Sequence, residues 1–219
     1  GCLDKKDRWV KVLYGSVITR RKLIKSKVKY CKDLALDMSH DELGTEYAKA
    51  VADGLGWKGV RLKKLDLTMN HLMDEGALWI AKGLEHNRTL TELDLTDNKI
   101  MDEGVSHLMN ALRTNTILQH LQLDRNIITS KGAILIETVL MTSPALLSIS
   151  VGGNGNIAPQ LSQKIATLNE TFRRTGKRPD RTPPQTPPLP VAQPAPDPSA
   201  DLNIGAGPAV PLSELEPAD

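Results

Sequence analysis

The sequence predicts an α/β fold, a right-handed solenoid of about five strand-helix repeats with a disordered, proline-rich C-terminal tail. Three observations carry that expectation. Leu62, Leu65, Leu67 and Asn70 recur 28 residues on as Leu90, Leu93, Leu95 and Asn98, then as Leu118, Leu121, Leu123 and Asn126, and again as Leu146, Ile149, Val151 and Asn154. Further columns keep the same period: Gly76, Gly104 and Gly132 form one, and Leu84, Leu112, Leu140 and Leu168 another. Composition changes abruptly after Gly176, because 12 of the 14 prolines lie from Pro179 onward.

Each unit can be derived from its residues. The stretch LxxLxL alternates as a short strand with one buried face does, and the Asn behind it suits a tight turn in which a side-chain amide satisfies backbone groups. The second half of the unit is helical. Ala77, Ile80, Ala81 and Leu84 recur at the spacing of one helix face, and the Asp-Glu pairs before Gly76 and Gly104 put negative charge where a helix start favours it. The twice-written MDEG is therefore architectural. A single unit cannot bury its own apolar face, so neighbours must stack and share a core. A degenerate first unit precedes the regular ones, with Cys31, Leu34 and Leu36 on the LxxLxL positions, Ser39 on the Asn position and Leu55 ending the helix, at a step of 31 residues. Such departures are expected of a terminal, capping repeat.

From Cys31 to Arg174 this pattern resembles the leucine-rich repeat, and a 28-residue unit with a full helix resembles the ribonuclease-inhibitor subtype. The resemblance implies strands inside, helices outside and a concave sheet lined by the residues flanking the strand leucines. Those are Lys64, Asp66 and Thr68, then Glu92, Asp94 and Thr96, then His120, Gln122 and Asp124, then Ser148, Ser150 and Gly152, with Asp97 and Arg125 just past the strands. The face is acidic over its first half and small and polar at its end. It should prefer a protein partner with a basic surface and lose affinity with salt. The leading expectation is a noncatalytic protein-protein interaction module or scaffold using this face. Proteins that look like the subtype also occur as structural subunits of large axonemal, cytoskeletal or organellar assemblies, which is the alternative. A small-GTPase regulator, as among the Ran GTPase-activating relatives, ranks last, because the repeats are few and no catalytic side chain is identifiable.

The chain divides into a basic N-terminal arm and solenoid cap (1–30), the solenoid (31–174) and the tail (175–219). The net charge of +2 hides an asymmetry: residues 1–32 hold 11 basic and 2 acidic side chains, residues 33–175 hold 14 and 18, and residues 176–219 hold 3 and 6. In the arm, Ile24, Ser26, Val28 and Tyr30 alternate with Lys25, Lys27 and Lys29, which predicts a half-buried edge strand with lysines outward. Trp9, Val12, Leu13 and Val17 suggest a short amphipathic helix over the solenoid end. A second reading starts from Gly1 and Cys2, which would carry myristoyl and palmitoyl chains beside a polybasic stretch and give peripheral membrane contact. Lys5 stands where that pattern asks for Ser or Thr. A third is the remnant of an organelle-targeted precursor. Nucleic acid is not expected as a partner, since no groove-reading motif or aromatic platform accompanies the lysines.

Leu161, Ile165, Leu168 and Phe172 mark one helix face that closes the last repeat. Beyond it, Arg181, Pro184 and Pro187 stand in the RxxPxxP arrangement that SH3-type grooves accept, because a preformed left-handed helix loses little entropy on docking. Thr182 and Thr186 precede prolines and are candidate phosphorylation sites beside Arg181.

Chemistry is not legible. His40, His71, His86, His107 and His120 make no helical metal pair with a third ligand, no phosphate-cradling loop is present, and GGNGN at 152–156 falls on an Asn turn. No cofactor or metal is expected. The two cysteines form no disulfide framework, and no stretch reaches the length of a membrane-spanning helix, so the expected location is cytoplasmic or cytoskeletal.

Overall fold

The computed structural model describes residues 17–31 and 34–175. Gly1 and Cys2, the helix expected around Trp9, and the tail with Arg181, Thr182, Pro184, Thr186 and Pro187 lie outside the described residues. In chain order the elements are α1 (Val17–Tyr30), β1 (Ala35–Asp37), α2 (Gly44–Leu55), β2 (Lys64–Asp66), α3 (Met73–His86), β3 (Glu92–Asp94), α4 (Asp102–Thr114), β4 (His120–Gln122), α5 (Ser130–Thr142), β5 (Ser148–Ser150) and α6 (Pro159–Thr175). The strands pair in parallel, in sequence order, as one five-stranded sheet.

The 28-residue period becomes register. Leu36, Leu65, Leu93, Leu121 and Ile149 stand side by side across the sheet, all buried, and the second leucine of each LxL turns back into the same core. Leu62, Leu67, Leu90, Leu95, Leu118 and Leu123 are 0% exposed. Each such side chain contributes roughly 2 kcal/mol through burial. From the other side Ala77, Ile80, Ala81 and Leu84 of α3 and their counterparts in α4 and α5 close the layer. Strands sit about 5 Å apart, while packed helices need about 9 Å. The stack therefore curves with its sheet on the inside.

Buried asparagines hold the turns. Asn98 accepts the backbone N–H groups of Asn70 and Leu72 from the preceding unit and donates to the carbonyls of Leu67 and Thr96. Asn126 does the same one unit on, for Asn98 and Ile100. The expected turn residue is thus also an inter-repeat clamp. A second ladder, not anticipated from the sequence, accompanies the helices: Asn87 donates to the carbonyl of Leu55 and Asn115 to that of Leu84, while each accepts two N–H groups of its own loop.

The MDEG segments gain a further reason. Asp74 does not cap its own helix; its Oδ1 accepts the N–H groups of Met101 and Gly104, at the start of the next one. Asp102 likewise takes those of Thr129 and Gly132. This explains the glycine column, because a Cβ on Gly104 would lie 2.5 Å from Asp74 Oδ1 and 2.8 Å from Ile100 Cγ2.

Two expectations at the N-terminal end are corrected. The segment read as an edge strand from Ile24 to Tyr30 is the end of helix α1. Among residues 21–31, Ile24 and Val28 of the helix and Cys31 just past its end are buried, a spacing of four and three that is helical, and the period-two lysines mislead because a solvated helix face also tolerates them. Gly54 of α2 lets α1 approach: a Cβ there would meet Val28 Cβ at 2.7 Å. The first unit is also registered differently. Leu36 and Met38 take the places of Leu65 and Leu67, Leu34 is 59% exposed, and the step is 29 residues rather than 31. Alternation survives a slip of two, which is why pattern alone misplaces it.

Candidate partner-binding face

Outward residues of the strands form rows because the register is unbroken. One row runs Ala35, Lys64, Glu92, His120, Ser148, and the next Asp37, Asp66, Asp94, Gln122, Ser150. Two residues past each strand's end come Ser39, Thr68, Thr96, Asp124 and Gly152. Lys64, Asp66, Glu92, Asp94, His120 and Gln122 therefore lie where the alternation places them, on one face and flanking a buried residue.

Local bonds set how the carboxylates stand. Asp66 Oδ1 accepts the N–H of Thr68 at 2.9 Å, and Asp94 Oδ1 that of Thr96 at 2.9 Å. Asp37 Oδ1 takes both the N–H and the hydroxyl of Ser39. Each carboxylate is thus held upright on the sheet by its own strand end. Glu92 is paired with Lys64 at 2.8 Å, a contact between half-exposed side chains. Asp124 differs, since its Oδ1 accepts from the Ser150 hydroxyl and from the Gly152 N–H, which ties it to the last strand. Asp37 escapes the sequence reading, although LDMS at 36–39 matches LDLT at 65–68 and 93–96 and is signal enough.

A shallow groove of about 250 Å³ lies over β1 to β4, lined by Asp37, Asp66 and Asp94 together with Lys64, Glu92 and Gln122. At the C-terminal end His120 Nδ1 lies 2.7 Å from Ser148 Oγ, and α6 turns back beside them. Asp97 and Arg125 lie three residues past the ends of β3 and β4 and do not line that groove. With His40 and Met69 they share a left-handed backbone, φ 53 to 57°, that turns each N–H onto the carbonyl of the next unit. Among the described residues no group of three or more His, Cys, Asp or Glu side chains is placed to hold a metal ion. No helix among them is long and apolar enough to cross a membrane.

The sequence model of the family described as Leucine Rich repeat matches residues 62–81, 86–109 and 114–136. Among solved structures, one described as Leiomodin-1 Actin-Binding Site 2 superposes with a TM-score of 0.60 at 20% identity, covering 74% of this chain and 92% of that one. The tropomodulin C-terminal domain of Caenorhabditis elegans gives a TM-score of 0.56 at 11% identity, covering 74% of this chain and 100% of that one. Comparison with curated proteins finds no match. At these identities the two structures speak to the fold.

Proposed function

Because this chain is a leucine-rich repeat protein, whose stacked strands present one extended face, we propose that it is a noncatalytic interaction module that grips a basic protein surface on its inner sheet. The observation that carries this reading is the row Asp37, Asp66, Asp94, in which like charges stand directly opposite one another on adjacent strands. Like charges so placed destabilise a sheet. A cationic partner relieves that repulsion and gains from the complementary potential.

The cytoskeletal version of this reading draws on one observation, the shared fold with a structure described as an actin-binding site. In it the chain is a subunit of a filament-associated assembly, with contacts that include surfaces other than the sheet.

The test is to isolate the full chain with its partners from its own cells, size the complex and identify its members. The comparison is the variant Asp66→Lys/Asp94→Lys, whose substitutions sit on the sheet face and leave the core untouched. A partner released by the variant and by salt supports the sheet as the binding face. A large particle retained by both forms favours the assembly subunit and removes the sheet from the contact. Co-sedimentation with filamentous actin is the direct assay of the cytoskeletal version, and a pellet free of the chain excludes it.

A further inference from the structure

Charge is not spread evenly over the solenoid. Helices α1 to α5 all end on one edge, where the chain passes into the next strand. Backbone bonds join those connections in series: the N–H of Lys63 reaches the carbonyl of Leu34, that of Thr91 reaches Lys63, that of Gln119 reaches Thr91 and that of Leu147 reaches Gln119. Lys29, Lys58, Arg61, Lys63, Arg88 and Arg113 lie along this edge.

The opposing charges are few. Asp53 is taken by Lys25 at 3.1 Å and Glu92 by Lys64 at 2.8 Å, while Asp33 is matched in the sequence by Lys32, which leaves Glu85. No ion pair among the described residues engages Lys58, Arg61, Lys63 or Arg113. Helix ends explain only part of this excess. A cation in the last turn complements the helix dipole, as Arg113 does in α4, but that effect fades within a turn, and Arg61 and Lys63 lie well beyond Leu55, where α2 stops.

Apolar groups are exposed on the same edge: Tyr30 at 61%, Leu34 at 59% and Trp57 at 38%. Gly59 accounts for one side of Trp57, since a Cβ there would strike the indole ring, but not for the outward parts of Tyr30 and Leu34. The Tyr30 and Trp57 rings stand 5.3 Å apart, and Lys29 Nζ lies 4.8 Å from the first centroid and 4.2 Å from the second.

We propose that this edge seats the protein on an anionic membrane surface. Each Lys or Arg held near an anionic leaflet strengthens binding about fivefold. Tyrosine and tryptophan rings settle at the level of the lipid headgroups, with an apolar body below and a polar tip in water. A nucleic acid fits less well, because it stacks its bases on open ring faces. Here the rings are tilted by 60° and Lys29 lies over both. The acids are kept off the membrane: Asp74, Glu75, Asp102 and Glu103 open their helices, about 20 Å across the solenoid from this edge. Asp37, Asp66 and Asp94 are the last residues of their strands, on the side away from it, so the acidic sheet stays available to a partner.

The full chain is sedimented with vesicles of phosphatidylcholine alone and of phosphatidylcholine mixed with phosphatidylserine, at low and high salt. Binding to the mixed vesicles only, weakened by salt, is expected. Lys58→Glu/Arg61→Glu replaces exposed side chains, leaves the core intact and should lower the partition coefficient at least about tenfold. Tyr30→Ser/Leu34→Ser should lower it about tenfold through lost apolar contact. Lys99→Glu/Lys131→Glu makes the same change of charge on the opposite edge and should bind as the natural chain does, and Asp66→Lys/Asp94→Lys should bind no more weakly. Equal binding to both kinds of vesicle, binding to neither, or the same loss from Lys99→Glu/Lys131→Glu would overturn the proposal. Undiminished binding of Lys58→Glu/Arg61→Glu would overturn it too, by placing the contact off this edge. Capture of polyglutamate without binding to vesicles would make the edge a site for an acidic protein instead.

Discussion

Asn169 of α6 bonds both backbone groups of Ile149 in the last strand: its amide nitrogen donates to the carbonyl at 2.8 Å and its amide oxygen accepts the N–H at 3.1 Å. A sixth strand would occupy that edge, and one side chain replaces it. Exposed strand edges invite pairing with other chains, so this contact ends the stack as well as stabilising it.

Asn169→Ala should lower stability by about 1 to 3 kcal/mol, the range for orphaning buried backbone groups. Urea unfolding measures the loss. Hydrogen exchange should quicken at Ile149 while Leu93, in the middle of the sheet, keeps its protection. An unchanged midpoint would mean that water satisfies this edge equally well.

Asn98→Ala removes bonds to four backbone groups in two repeats, so a loss of at least about 3 kcal/mol is expected. Asn98→Asp keeps the acceptor and should fall between Ala and the natural residue in the same unfolding series. A loss no larger than that of an exposed asparagine such as Asn156 would contradict the clamp.

Gly104→Ala drives a methyl group against Asp74 and Ile100, and overpacking of this kind costs about 1 to 3 kcal/mol. Gly155→Ala is the control, since nothing lies within 4 Å of the added carbon, and it should stay within about 0.5 kcal/mol. Thermal or urea melts of the two variants side by side decide whether the column reflects the Asp74 contact.

Lys64→Met should leave stability within about 1 kcal/mol, because the Lys64–Glu92 pair is half exposed and solvent-screened. It also removes the cation from the acidic rows, so a basic partner should bind the variant more tightly at low salt. Urea unfolding reads the first effect and isothermal titration at two ionic strengths the second, and weaker binding would count against the sheet as a cation-binding face.

The sheet face is legible in the sequence because its determinants are local and periodic. Once Leu65 and Leu67 are assigned inward, Lys64, Asp66 and Thr68 can point nowhere else, and a fixed period carries that placement to Glu92, Asp94, His120 and Gln122. The bonds between neighbouring loops are not legible, because the N–H groups of Met69, Met73 and Ile127 meet their carbonyls only once the units are stacked. At the N-terminal end the signal is present but easily overlooked. Leu55 stands 29 residues before Leu84, and Gly54 before Gly83, which fixes the step that the strand residues alone leave ambiguous.

Repeat arithmetic suffices for the coil, its register from Leu62 onward, the inward leucines and the charge of the inner face, since a repeat that cannot bury its own apolar stripe must stack in phase. Long-range contacts were needed to reveal that the basic arm ends as a helix on α2, that Asp74 and Asp102 serve the unit after their own, and that Asn169 stands in for a strand. Each of those depends on a backbone N–H, a carbonyl or an apolar surface 20 or more residues away. The demand of a buried polar group for a partner is absolute, but which group meets it is set by where the stacked chain happens to bring it.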